Sequence, residues 1–130
     1  MNIMEVQAGA ETDCTVGRLL GFDVAIINGV CRKRYQDDTD FYSDSFSWCP
    51  SREITDAFDA IEQMHVRTLE KETGRLRGGF ALYRLDEKYG VGWTATFRSH
   101  LDSDGDESAY AETAPLAICR AILFDFQRKS

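Results

Sequence analysis

The dipeptide Asn28-Gly29 lies between two runs rich in β-branched residues, VAII at 24–27 and VC at 30–31. Asn and Gly are the residues that best accept positive φ at both central positions of a type I′ turn, whose twist matches that of paired strands. The dipeptide therefore predicts a β-hairpin, and a hairpin commits its strands to antiparallel pairing. A second pair of strand-like runs, FALYRL at 80–85 and WTATF at 93–97, flanks a turn at about Asp86 to Gly90. In the latter Trp93, Ala95 and Phe97 alternate with Thr94 and Thr96, the period of a strand with one apolar face. The stretch from Asp37 to Trp48 reads as a long polar loop ending in a short strand, and that from His100 to Glu112 as a loop.

Three helices are signalled around these strands. The first is short: Thr12 or Asp13 can cap it, Val16, Leu19 and Leu20 share a face, and Gly21 suits the left-handed residue after its end. The second follows Cys49-Pro50, where proline bars a helical conformation at Cys49. With Ser51 as cap it runs to about Lys71, placing Ile54, Ala57, Phe58, Ile61, Met64 and Leu69 near one stripe. The third opens at Thr113, takes Pro115 in its first turn, and aligns Ile118, Ile122 and Phe126 at i, i+4 and i+8. Arg120, Arg128 and Lys129 put positive charge toward its C-terminal half, where the helix dipole favours it. The order is α-β-β-α-β-β-α. It predicts an α+β fold in which an antiparallel sheet of about four strands, built from two hairpins, is packed by three helices. One domain over residues 1–130 is expected, with 1–10 a loose tail.

Fifteen Lys and Arg stand against 22 Asp and Glu, a formal charge of −7. A phosphate backbone is repelled on balance, which argues against direct nucleic-acid binding. The longest basic run, Arg32 to Arg34, is followed within a few residues by Asp37 and Asp38, which partly cancel its field. No signal-peptide pattern and no membrane-length apolar run is present, so a cytoplasmic protein with no membrane partner is expected. The four cysteines form no C-x-x-C pair and read as reduced, mostly buried thiols.

No set of residues spells out a catalytic mechanism. The run Asp102, Asp104, Asp106, Glu107 fails as a calcium loop, because with Gly105 at the sixth place His100 would stand first and Ala111 twelfth, where a bidentate Glu is needed. His65 lies on the apolar edge of the second helix and reads as structural; zinc held by Cys31, Cys49 and both histidines is the sharper alternative. Asp37, Asp38, Asp40 and Asp44 are interleaved with Phe41, Tyr42 and Phe46 and have no Lys or His beside them to split their pKa values. Rings beside carboxylates fit a protein-binding edge better, since aromatics supply contact area and acids select a basic surface. Arg75 and Arg77 could hold an anion, although no phosphate-cradling glycine motif surrounds them.

The short helix ending at Gly21, the hairpin, Cys49-Pro50 leading into the helix with Asp56, Ala57 and Phe58, the strand Trp93 to Phe97, and Thr113 to Leu123 together resemble the phage ABA sandwich domain over roughly residues 12 to 124. The resemblance implies a phage-encoded accessory protein with helices on an antiparallel sheet, and it supplies no catalytic residues. The chain departs from that pattern in longer acidic insertions at about Asp37 to Ser45 and Asp102 to Ser108, where a member-specific function can reside.

These readings converge on a non-enzymatic protein without cofactor or metal that binds a host or anti-phage defence component, as an inhibitor of a system such as CRISPR does, by covering a basic surface. The expected contact residues are Asp37, Asp38, Asp40, Phe41, Tyr42, Asp44, Asp102, Asp104, Asp106, Glu107 and Tyr110. The alternative is a protein that sequesters a nucleotide signal at a subunit interface through Arg75, Arg77 and Arg98, which predicts an oligomer.

Overall fold

The computed structural model describes residues 2–34, 45–71, 80–84, 92–97 and 108–129. After a single 3-10 turn at Ile3–Glu5 come α1 (Ala10–Leu19), β1 (Val24–Ile27), β2 (Val30–Arg34), β3 (Ser45–Ser47), α2 (Ile54–Lys71), β4 (Phe80–Arg84), β5 (Trp93–Phe97), β6 (Ser108–Ala111) and α3 (Ala114–Lys129). The fold is α+β with antiparallel strands. Its described strands form two three-stranded meanders, β1-β2-β3 and β4-β5-β6, rather than one sheet of about four. The discrepancy centres on β6, whose sequence Ser-Ala-Tyr-Ala reads as loop on hydropathy. Ala109 and Ala111 are nonetheless buried while Ser108 and Tyr110 are exposed, a strict period of two written in small residues.

The hairpin turn takes the conformation its sequence dictates: Asn28 and Gly29 have φ of 53° and 78°, and Ile27 pairs with Val30. Helix α1 covers this sheet with Val16 and with Leu20, the residue that caps its C-terminus, both fully buried. Gly17 makes the contact close, since a Cβ there would meet the Trp48 ring and both Val24 methyls at 3.0 Å. The helix ends as Gly21 predicts, with φ of 86°, Phe22 N–H donating to Gly17 O at 2.9 Å and Gly21 N–H to Arg18 O at 3.1 Å, the paired bonds of a Schellman ending.

Helix α3 lies against β5 and β6 and also meets α1 and α2, so the helices join the two sheets. Its face of Ala117, Ile118, Ala121 and Ile122 and the facing Ala95, Ala109 and Ala111 are buried, and small side chains on both sides bring helix and sheet together. Thr113 caps it as expected, its Oγ1 accepting from Leu116 N–H at 3.4 Å.

Other expectations are corrected. Arg120, expected to place positive charge toward the C-terminal half of the helix, is instead a buried residue in the middle of α3, donating to Val6 O and Tyr110 O. That bond, with Ile3 buried, fixes the N-terminal residues that read as a loose tail. Ser51 is not the α2 cap, because the helix starts at Ile54 and Ser51 is buried against Asp13 and Gly9. Asp13, read as a possible cap of α1, instead lies inside that helix.

Candidate functional site: the tyrosine row of the second sheet

Strand register decides which side chains share the outer face of β4-β5-β6. Tyr83 pairs with Thr94, and Thr94 pairs with Tyr110, so the three stand in one row across the sheet. In the next row Ala81, Thr96 and Ser108 align, with Thr96 Oγ1 and Ser108 Oγ 2.7 Å apart. Alternation sends the neighbours Leu82, Ala95 and Ala109 to the opposite face, toward α3. The result is an outer row in which Tyr83 is 48% and Tyr110 55% exposed on either side of Thr94 at 7%. With neighbouring strands spaced about 4.8 Å, the tyrosines stand roughly 10 Å apart. Both carry apolar rings with a hydroxyl and no charge.

Tyr110 was reachable from sequence as an aromatic beside an acidic run. Tyr83 was not, because its relation to Tyr110 depends on both being registered to Thr94, a pairing that no local pattern encodes. Of the other expected contact residues, Asp37, Asp38, Asp40, Phe41, Tyr42, Asp44, Asp102, Asp104, Asp106 and Glu107 lie outside the described residues, as do Arg75, Arg77 and Arg98.

Two polar constellations elsewhere serve the fold. Lys33 projects inward from β2 with its ammonium 3.5 Å from the centre of the Phe22 ring and 5.5 Å from that of Trp48. Asp59 of α2 completes the enclosure, accepting from Lys33 Nζ at 2.8 Å and from Trp48 Nε1 at 3.1 Å with the same oxygen. The cation is satisfied within the chain, between a carboxylate and aromatic faces.

The second centres on Asp13, which is fully buried and accepts from Ser51 N–H at 2.8 Å. Burial raises its pKa, against the lowering effect of the Ser51 hydrogen bonds and of Arg52. Cys49 lies nearby with Arg52 Nη2 3.3 Å from its Sγ, yet burial outweighs the guanidinium and its thiol is raised as well. A reactive cysteine needs the opposite shift. Among the described residues no group of three or more His, Cys, Asp and Glu could hold a metal ion.

A cleft of about 460 Å³ opens at the start of α1, lined by Val6, Ala8, Glu11, Thr12, Thr15 and Leu123 among others. It holds one carboxylate, Glu11, and two threonine hydroxyls, both of which donate to backbone carbonyls: Thr12 Oγ1 to Gln7 O at 2.5 Å and Thr15 Oγ1 to Glu11 O at 2.8 Å. Among the described residues no helix is long and apolar enough to cross a membrane.

The fold and this site define a small α+β domain whose two meanders are joined through helices and whose second sheet carries two half-exposed tyrosines on either side of a buried threonine. The phage ABA sandwich domain model matches residues 17–123, and the chain belongs to that family. No curated protein matches the chain.

Proposed function

We propose that this protein is a non-enzymatic phage accessory protein that binds a basic surface on a host or anti-phage defence protein and thereby inhibits it. The observation that carries the reading is the Tyr83-Thr94-Tyr110 row, two exposed aromatic residues facing solvent on a sheet whose other face is core. Tyrosine is the residue type that anchors protein interfaces, because it buries a large rigid area at low entropic cost. Strand β6 follows directly in sequence from Asp102, Asp104, Asp106 and Glu107, so the row is tied by the chain to a run of four carboxylates. The chain as a whole carries −7. Lys and Arg side chains of a partner would pack on the tyrosine rings as cation–π contacts while the carboxylates steer the approach. Such a partner surface is one that otherwise meets nucleic acid, as in a defence complex of the CRISPR kind.

The test is affinity capture of the tagged protein from lysate of bacteria carrying defence systems, at low and at moderate salt, with mass spectrometry of what is retained. A basic protein held at low salt and released at moderate salt is expected, since electrostatic steering is screened over about 10 Å at 0.1 M. Retention of a nucleotide in place of a protein would overturn the reading.

A further inference from the structure

Cys14 of α1 and Cys31 of β2 meet inside the first half of the molecule. Their sulfur atoms are 3.0 Å apart and both residues are fully buried. The two strands and the helix that hold them are fixed independently of the thiols: Cys31 pairs with Ile26 in the hairpin, Trp48 N–H donates to Cys31 O at 2.9 Å, and α1 is seated by Gly17 against Val24 and Trp48. The contact is thus imposed by the packing of α1 on the sheet.

We infer that Cys14 and Cys31 are an oxidation site, where a two-electron oxidant such as hydrogen peroxide joins α1 to β2 by a disulfide. The sulfurs need to approach by only about 1 Å to reach the bonded distance of about 2.05 Å. One thiol, as thiolate, attacks peroxide oxygen and becomes a sulfenic acid with release of water. The second thiol displaces the hydroxyl as a second water and forms the S–S bond. Two electrons and two protons pass from the thiols to the peroxide, which leaves as two waters. In the closed fold the step is slow, because the thiolate is the reacting form and burial, with the neighbouring thiol, holds Cys31 far above the ordinary range. It proceeds when α1 opens locally, or during folding before the pair is buried. The product is a staple across the α1 packing that a reducing cytoplasm leaves open and an oxidising environment closes.

The experiment is to treat the reduced, folded protein with hydrogen peroxide, then denature it, alkylate the free thiols and map the peptides by mass spectrometry. The expected result is a mass loss of two hydrogens, two alkylated thiols at Cys49 and Cys119, and a linked peptide joining Cys14 to Cys31. Its melting temperature should rise by roughly 5–10 °C, as for a short-loop disulfide, and return with reductant. The Cys49→Ser variant should behave alike. Four alkylated thiols after treatment, a link to Cys49 or Cys119, or a link between two chains would each overturn the assignment. Because the readout is made on the unaltered chain, it does not depend on whether Cys14→Ser or Cys31→Ser folds.

Discussion

Arg120, in the middle of α3, donates from Nη1 to the carbonyl oxygen of Tyr110 at 2.8 Å, and from Nε to that of Val6 at 3.0 Å. A single buried guanidinium therefore ties the strand that carries an exposed tyrosine to the helix beneath it and to the N-terminal segment. Burial lowers the Arg120 pKa and Glu112 nearby raises it again, so the hydrogen bonds, not a close ion pair, compensate the buried charge.

Replacement of Arg120 should be among the most destabilising changes in the chain. Arg120→Met leaves the two carbonyls without their donors and is expected to cost about 2–4 kcal/mol in urea denaturation. Arg120→Lys should rescue little, because a point ammonium cannot reproduce the guanidinium fork.

Asp13 gives the stability of the fold a particular dependence on pH. Its folded pKa is raised from 3.8, chiefly by burial. Between 3.8 and that raised value the folded state binds more protons than the unfolded chain, so stability falls as pH rises through the window. The contribution is fully present below 3.8 and lost above the folded pKa. Asp13→Asn keeps an acceptor for Ser51 N–H and removes the titration. The difference in unfolding free energy, native minus variant, should therefore decline from acid toward neutral pH, whereas a native protein that gains on the variant as pH rises would contradict the assignment.

The Lys33 enclosure separates charge from packing. Lys33→Met retains most of the aliphatic contact with Phe22 and Trp48 and should cost less than about 1 kcal/mol, whereas Lys33→Ala should cost roughly 1–2 kcal/mol through lost packing. Trp48 is fully buried beside this group, so its fluorescence, read in a Trp93→Phe background, reports the repacking.

Gly92 is required by geometry. Its φ is 153°, and a Cβ there would lie 2.5 Å from the Ala111 carbonyl oxygen across the β5-β6 pairing. Gly92→Ala must separate β6 from β5 and is expected to destabilise by about 2–4 kcal/mol. Loss of the Tyr110 register should accompany it, visible as faster amide exchange at Thr94 and Tyr110.

Elements written in local chemistry were legible in the sequence. Asn28-Gly29 fixed a turn, Gly21 a helix end, and Thr113 with Pro115 a helix start, each because one residue type satisfies one backbone requirement. Strand β6 was not, since Ala109 and Ala111 have little hydropathy and are buried because α3 needs small residues to approach. Ser51 and Arg120 misled for a related reason: their partners, Asp13, Val6 and Tyr110, are 38, 114 and 10 residues distant. The tyrosine row was half legible, as Tyr110 but not as a pair, because register across three strands is a tertiary property.

The most direct test of the account is to repeat the capture with Tyr83→Ser and Tyr110→Ser combined, beside the native protein and at the same two salt concentrations. Both side chains are about half exposed, so the fold should persist, which circular dichroism can verify. A basic protein retained by the native chain and reduced at least tenfold with the double variant is the expected outcome, equivalent to about 1.4 kcal/mol or more. Equal retention by the two proteins would contradict the claim that this face is the binding surface.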